Sequence, residues 1–200
     1  MLKSNLIKIQ NFMNISLKKK PIFFETLNIF IEQLKLLNNI NPEETEENQK
    51  TFIRDFLINT FNYKINTSGD IDWAIFNELN KVEVIIEVKR IINESEMVNK
   101  EDFLRKAFFE TILYFMQERN QGNIDLKHII ITNVHTWFII DASEYERIFW
   151  NNKIFRQRFL DWKNKKTLND TTEFFYFSIA KPFCEFLINT RRESLFDDIY

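Results

Sequence analysis

Apolar side chains recur at helical spacing in the first third of the chain. Residues 5–15 and 22–40 carry apolar positions that repeat every three to four residues, which predicts two amphipathic helices. Pro42, followed by acidic residues, predicts the start of a further helix, since proline and negative charge both favour a helix N-terminus. Its apolar stripe runs through "FIRDFL" at residues 52–57.

The middle of the chain changes to a strand pattern. "IDWAIF" at 71–76 alternates, and "VEVIIEVKRI" at 82–91 is mostly β-branched, so both are predicted strands. A long helix over about residues 101–119 follows. "HIIITN" at 128–133 and "WFIIDA" at 137–142 then predict two more strands.

From Tyr145 onward the pattern is helical in pieces, with Pro182 near the start of the last helix. Strands and helices in this order predict an α/β domain with a small mixed sheet of about four strands flanked by helices. Extra helices are expected at the N- and C-terminal ends. The 200 residues are therefore predicted to form a single domain, with no internal repeat.

Charged side chains interrupt both strands of the predicted hairpin, where an unpaired buried charge would be costly. Alternate residues of a strand face the same side. If the hairpin turn is centred on residues 79–80, Asp72 lies opposite Glu87, and Asp70 lies opposite Lys89. The pattern therefore predicts two acids and a lysine close together on one face of the sheet.

Two carboxylates at opposed strand positions have Cβ atoms only about 4.5–5.5 Å apart, and they repel unless a cation lies between them. Mg²⁺ prefers such oxygen ligands, and Mn²⁺ is expected to substitute for it. The metal can activate a water and polarise a phosphoryl oxygen, while Lys89 can orient that water or stabilise developing charge. These groups suit phosphodiester hydrolysis. The alternative is that Glu87 and Lys89 point to solvent from a half-exposed strand.

The composition indicates the cellular compartment of the protein, but it does not indicate an activity. The formal net charge of −2 gives no support for a basic nucleic-acid clamp. The one cysteine, Cys184, cannot form an internal disulfide, which fits a reducing compartment. No stretch approaches the roughly 18 apolar residues of a membrane span. A cytoplasmic protein without membrane contact is therefore expected.

The sequence around the predicted hairpin resembles a known nuclease motif. "GDIDWAIF" followed by "VEVIIEVKR" is similar to the core motif of the PD-(D/E)XK nuclease superfamily, with Ile71 in place of the motif proline. The helix with "EENQKTFIRDFL", the later helix "KAFFETILYFMQER" and the strands "IIITNVHTWFIIDA" resemble the N-terminal nuclease domain of type IIG and type I-like restriction–modification enzymes. The likeness covers about residues 40–145, with residues 1–40 and 146–200 as terminal helical additions.

This resemblance implies a restriction-endonuclease-like fold and a set of site residues. It implies that Asp72 and Glu87 are metal ligands and that Lys89 is the catalytic lysine. Family members often add a glutamate from the preceding helix. Glu46 and Glu47 both qualify, with Glu47 preferred. Asp70 ranks second to Asp72 as the motif aspartate, because "GD" also suits a turn.

The resemblance also implies a Mg²⁺-dependent DNA endonuclease of a restriction–modification enzyme. Its partners would be double-stranded DNA and methyltransferase and target-recognition regions of a longer protein or complex, and two copies would meet on DNA for double-strand cutting. One alternative is a catalytically inactive nuclease-like fold that binds DNA or protein. Another is a repair or junction-resolving nuclease of the same fold.

Polar residues of the long helix are further candidates. Gln117 and Glu118 close that helix, and nucleases of the resembled type sometimes place a polar residue of this helix near the site. Glu110 lies among apolar neighbours, so it faces either the site or a salt bridge. The sequence leaves these possibilities open.

Overall fold

The computed structural model of the protein describes residues 24–191. The helix predicted over residues 5–15 lies outside the described residues. Within the described range, helices and strands alternate around one sheet, and none of these helices is long and apolar enough to cross a membrane. The predicted α/β class is confirmed.

Five strands and seven α-helical segments, two of them extended by π-helical turns, make up the described part of the chain. In chain order they are α1 Phe24–Asn38, α2 Glu46–Phe61, β1 Ile65–Ser68, β2 Ile71–Phe76, β3 Val82–Val88, α3 Lys106–Asn120, β4 His128–Thr132, β5 Trp137–Asp141, α4 Ala142–Tyr145 with a π-helical turn at Glu146–Trp150, α5 Lys153–Lys163, and α6 Thr172–Phe174 with a π-helical turn at Phe175–Ala180 that leads into α7 Lys181–Arg191.

The sheet has the strand order β1-β2-β3-β4-β5. Neighbouring strands are antiparallel except β3 and β4, which run parallel and are connected through α3. Strand β1 was not predicted. It is a four-residue edge strand, "INTS", whose residues are exposed or half-buried, so it lacks the apolar signal that marks the other strands.

The strand pairs from Trp73 to Ile75 follow the predicted register, while a bulge between Ile75 and Phe76 shifts the pair next to the turn by one residue. Asn80 has the left-handed φ of 58°, which asparagine tolerates, and its amide donates to the Asn77 carbonyl at 3.0 Å. Trp73 pairs with Ile86. The next pair toward the open end of the hairpin is therefore Asp72 with Glu87.

The long helix begins later than predicted. Asn99 Oδ1 accepts the amides of Glu101 and Asp102, and Asp102 Oδ1 accepts the amide of Leu104. Such side-chain to backbone bonds compete with helix formation. Helix α3 therefore starts only at Lys106.

Both faces of the sheet are covered, so β3 is buried on each side. Helix α2 packs on the face that carries Ile75, Ile86 and Val88. Helix α3 packs on the face that carries Ala74 and Ile85, and the C-terminal helices cover α3 in turn. Their shared core is rich in buried aromatic rings: Phe108, Phe109, Phe115, Tyr145, Phe149, Phe155, Phe159, Phe175 and Phe183.

Candidate functional site

Asp72 and Glu87 lie side by side on β2 and β3, on the face covered by α3. Asp72 Oδ2 accepts the backbone amide of Val88 at 2.9 Å, a bond that crosses between the two strands. Glu87 is buried, with a side chain only 2% exposed. The two carboxylates are therefore held together by the hairpin itself, as the register predicted.

Lys89 follows β3 directly, and its ammonium lies between two carboxylates. Lys89 Nζ is 2.7 Å from Glu87 Oε1 and 2.6 Å from Glu110 Oε2, and its side chain is 5% exposed. Its amide donates to the Thr132 carbonyl at 2.9 Å, which continues the pairing with β4. The solvent-facing alternative for Glu87 and Lys89 is therefore wrong: both side chains point inward.

Two further charged side chains near the start of α3 extend the ion pairs of Lys89. Glu96, in the loop before α3, is 3.7 Å from Lys89 Nζ and 3.2 Å from Lys106 Nζ. Lys106 is also 3.8 Å from Glu110, one turn further along the helix. Lys89 therefore belongs to a continuous ion-pair network rather than to an isolated pair.

Lys50 of α2 reaches the other carboxylate. Its Nζ is 2.8 Å from Asp72 Oδ1, and the side chain is 11% exposed. The same atom is 3.0 Å from Glu46 Oε1 and 3.2 Å from Glu47 Oε1. With the Val88 amide on Oδ2, both oxygens of Asp72 have a donor.

The start of α2 is anchored to the sheet by hydrogen bonds. Gln49 is fully buried; its side chain donates to the carbonyls of Pro42 and Glu44 and accepts the amide of Ile91 at 2.9 Å. The indole of Trp73 donates to the Lys50 carbonyl at 2.8 Å. These bonds fix the backbone of α2 next to the ends of β2 and β3, where the charged groups meet.

Burial raises the pKa values of two carboxyl groups of the site. Burial raises the pKa of Asp72, although Lys50 and the Val88 amide oppose it. Burial also raises the pKa of Glu87 well above its usual range, with the charges of Glu110 and Asp72 adding to it against the opposing Lys89. Burial raises the pKa of Tyr114 on α3 as well, with further contributions from Glu87 and Glu110. The Tyr114 hydroxyl therefore lies in the field of the same carboxylates.

The two lysine ammonium groups respond in the opposite sense to burial. Burial lowers the pKa of Lys89, but the neighbouring charges of Glu87 and Glu110 outweigh it, and the pKa is raised. The pKa of Lys50 is likewise raised, because its bonds to Asp72 and Glu46 outweigh the effect of burial. Both lysines are therefore held as cations.

The network carries more negative than positive charge. Six carboxylates, those of Glu46, Glu47, Asp72, Glu87, Glu96 and Glu110, are linked to three ammonium groups, those of Lys50, Lys89 and Lys106. The formal excess is three negative charges. Of these groups, three carboxylates (Asp72, Glu87 and Glu110) and two ammonium groups (Lys50 and Lys89) are at most 14% exposed, and the one negative charge in excess among them favours an additional cation.

One carboxylate oxygen of the site lacks a hydrogen bond. Glu87 Oε2 is buried and accepts no hydrogen bond from another described residue, while Lys89 Nζ lies 2.7 Å from the other oxygen, Oε1. Buried polar atoms are nearly always satisfied, so an open carboxylate oxygen opposite Asp72 fits a hard divalent ion. Between residues 24 and 191, however, no three acidic, histidine or cysteine side chains form a ready metal group. Asp72 and Glu87 are the two carboxylates that would hold the ion, and both oxygens of Asp72 already have a donor, Lys50 and the Val88 amide.

The other predicted site residues lie at the edge of this site or outside it. Glu47 is 81% exposed and Glu46 32% exposed, and both join the site through Lys50. Asp70 is exposed in the turn before β2. Glu118 accepts a hydrogen bond at 2.7 Å from Asn123, whose amide also donates to the carbonyl of Val82 at the opposite end of β3, so Glu118 is not part of the site. Gln117 lies two turns, roughly 10 Å, beyond Glu110 on α3.

Sequence reasoning missed Lys50 and Glu96 and left Glu110 undecided. Lys50 follows Glu46 by four residues and Glu47 by three, a spacing that also describes an ordinary exposed ion pair on a helix. Glu110 was the stronger signal, because a carboxylate on an otherwise buried helix face requires a partner. Its partner is Lys89.

Comparison with known proteins gives little beyond this geometry. No curated protein and no solved structure matches the chain. One protein family matches residues 7–197, nearly the whole sequence, and its description assigns no activity. The chain therefore belongs to the family described as domain of unknown function DUF7149.

Proposed function

We propose that the protein is a metal-dependent deoxyribonuclease that hydrolyses DNA phosphodiester bonds, with Asp72, Glu87 and Lys89 as its catalytic residues. The observation that carries the proposal is the meeting of these three side chains at one end of the β2–β3 hairpin, where the buried Glu87 Oε2 has no hydrogen bond. Their identity and order also resemble the PD-(D/E)XK motif.

Each residue has a role that follows from its contacts. Asp72 and Glu87 would hold Mg²⁺ or Mn²⁺, which when bound supplies a nucleophilic water and polarises a phosphoryl oxygen. Lys89, buried and kept charged by Glu87 and Glu110, provides a fixed positive charge next to that position. Such a preorganised charge stabilises the negative charge that develops on the phosphate in the transition state.

Cleavage of plasmid and linear duplex DNA tests the proposal directly. The wild type should cut with Mg²⁺ or Mn²⁺ and not with EDTA, and Asp72→Ala and Lys89→Ala should lose at least about a hundredfold in rate with the fold intact. Lys81→Ala is a matched control from the same hairpin, because Lys81 is half-exposed and pairs with Asp125 away from the site. Full cleavage by Asp72→Ala would refute the residue assignment.

One observation favours a second candidate, a nuclease-like fold that binds DNA or protein without cutting. Lys50 and the Val88 amide occupy both oxygens of Asp72, as in a purely structural ion pair. Duplex binding without cleavage under any divalent ion would support this candidate. Preferential cutting of branched or damaged DNA would instead indicate a repair or junction-resolving enzyme.

The wider setting rests on the resemblance alone. We propose that the chain works in the cytoplasm as the nuclease part of a restriction–modification system, together with methyltransferase and target-recognition regions. Two copies meeting on DNA would allow both strands to be cut. Co-purification of the tagged protein with a DNA methyltransferase, and protection of methylated host DNA from cleavage, are the measurements that check this setting.

A further inference from the structure

Three carboxylates from two elements converge on the ammonium group of Lys50. The distances from Nζ are 2.8 Å to Asp72 Oδ1, 3.0 Å to Glu46 Oε1 and 3.2 Å to Glu47 Oε1. Exposed lysines on helices usually make one such contact and contribute little. Here the side chain is 11% exposed, so the ammonium is enclosed by oxygen atoms on several sides.

The backbone around Lys50 is fixed, so this convergence is built into the fold. The carbonyl of Lys50 accepts the Trp73 indole, whose residue directly follows Asp72 on β2. Gln49, the preceding residue, ties α2 to the amide of Ile91 beyond β3. Only the flexible side chain of Lys50 is free to move relative to Asp72.

The position of the ammonium conflicts with metal binding at Asp72. Its 2.8 Å contact is a hydrogen-bond distance to Oδ1, whereas Mg²⁺ binds oxygen at about 2.0–2.1 Å. A divalent ion on Oδ1 would therefore lie within about 5 Å of the ammonium, and two cations so close repel each other. Across the strand pair, Glu87 Oε2 is buried and has no hydrogen bond, so it keeps its lone pairs for a cation held together with Asp72.

Resting on the proposed function, we propose that Lys50 is a built-in counter-cation that closes the site and must leave Asp72 before a divalent ion binds. Glu47 gives the displaced ammonium a place to go. Its side chain is 81% exposed and already 3.2 Å from Nζ, so Lys50 can stay paired at the rim after it releases Asp72. The described structure is then the closed state of the site.

The test is Mn²⁺ binding to the whole chain, measured by isothermal titration calorimetry. Lys50→Met should bind Mn²⁺ roughly tenfold more tightly than the wild type or better, because no ammonium has to be displaced. Lys50→Arg keeps the charge and should bind as weakly as the wild type. Lys81→Met removes a lysine that pairs outside the site and should change nothing.

Lys50→Gln provides a second variant in case Lys50→Met does not fold, since it keeps a donor for Asp72 without the charge. It should also bind Mn²⁺ more tightly, and its thermal midpoint should rise on Mn²⁺ addition more than that of the wild type. Asp72→Asn added to either variant should abolish the gain.

The outcomes separate this proposal from the nuclease proposal. Equal Mn²⁺ affinity in the wild type, Lys50→Met and Lys50→Gln, lost with Asp72→Asn, would overturn the displacement and leave the metal site standing. Tighter Mn²⁺ binding by Lys50→Met and Lys50→Gln, with no DNA cleavage by the wild type, would support the displacement and count against the nuclease. Absence of Mn²⁺ binding in every protein would overturn both.

Discussion

Lys89→Met is the substitution whose effect on stability follows most directly from the structure. The side chain of Lys89 is 5% exposed, and its ammonium lies 2.7 Å from Glu87 Oε1 and 2.6 Å from Glu110 Oε2. Methionine has a similar length and fits the same space without a charge. The variant therefore leaves Glu87 buried without its ion-pair partner, next to Asp72, and leaves Glu110 with only the 3.8 Å contact to Lys106.

The expected loss is about 3–5 kcal/mol in the free energy of unfolding at about pH 8, the usual cost of removing one partner from a buried ion pair. The loss should shrink as the pH falls. Burial already raises the pKa of Glu87, and no ammonium opposes this in the variant. A carboxyl with a raised folded pKa stabilises the fold fully below its unfolded pKa of about 4.3, and that contribution disappears as the pH rises through the folded pKa.

Urea unfolding of the wild type and Lys89→Met, followed by tryptophan fluorescence at about pH 8 and about pH 5, measures both effects. Adding Glu110→Gln to Lys89→Met should recover part of the loss, because one buried negative charge is removed. Lys81→Met is the control and should cost no more than about 1 kcal/mol. A loss below about 1 kcal/mol for Lys89→Met, or one equal at both pH values, would refute the reasoning.

Three further substitutions test the anchors of the site and the core. Gln49→Leu removes the buried side chain that bonds two backbone carbonyls and one backbone amide, and it should cost about 2–4 kcal/mol in the free energy of unfolding, measured with urea. An unchanged urea midpoint would mean that water replaces the side-chain amide of Gln49. Tyr145→Phe removes the 2.8 Å hydroxyl bond to Thr111 and should lower the thermal midpoint by about 2–4 °C; a rise would contradict this. Phe155→Ala removes a buried ring 4.6 Å from that of Phe183 and should cost about 3–5 kcal/mol by urea unfolding, so a cost under about 1 kcal/mol would show that the core collapses around the gap.

The hairpin at the centre of the site was predictable because its information is local. Alternation places Asp72 on one face of β2 and Glu87 with Lys89 on one face of β3, and the short turn, together with one bulge between Ile75 and Phe76, sets which residues oppose each other. The observed register agrees with that prediction. The exposed β1 escaped prediction because an edge strand of four mostly polar residues has no apolar alternation to reveal it.

The helical members of the site were not predictable in the same way. Lys50 and Glu110 are separated from the hairpin by many residues, and they meet it only because α2 and α3 pack on opposite faces of the sheet. Periodicity shows that each helix has a buried face, but it does not show which turn of the helix lies beside which strand residue. That alignment depends on long-range packing.

The sequence by itself therefore determined the α/β class, the hairpin register and the meeting of Asp72 with Glu87, since these follow from alternation and a short turn. Only the tertiary structure decided that the Lys89 ammonium lies between Glu87 and Glu110 and that the Lys50 ammonium pairs with Asp72. The physical reason is that burial and charge pairing are properties of the packed elements together. The local sequence around a lysine does not show whether its side chain faces solvent or lies between two buried carboxylates.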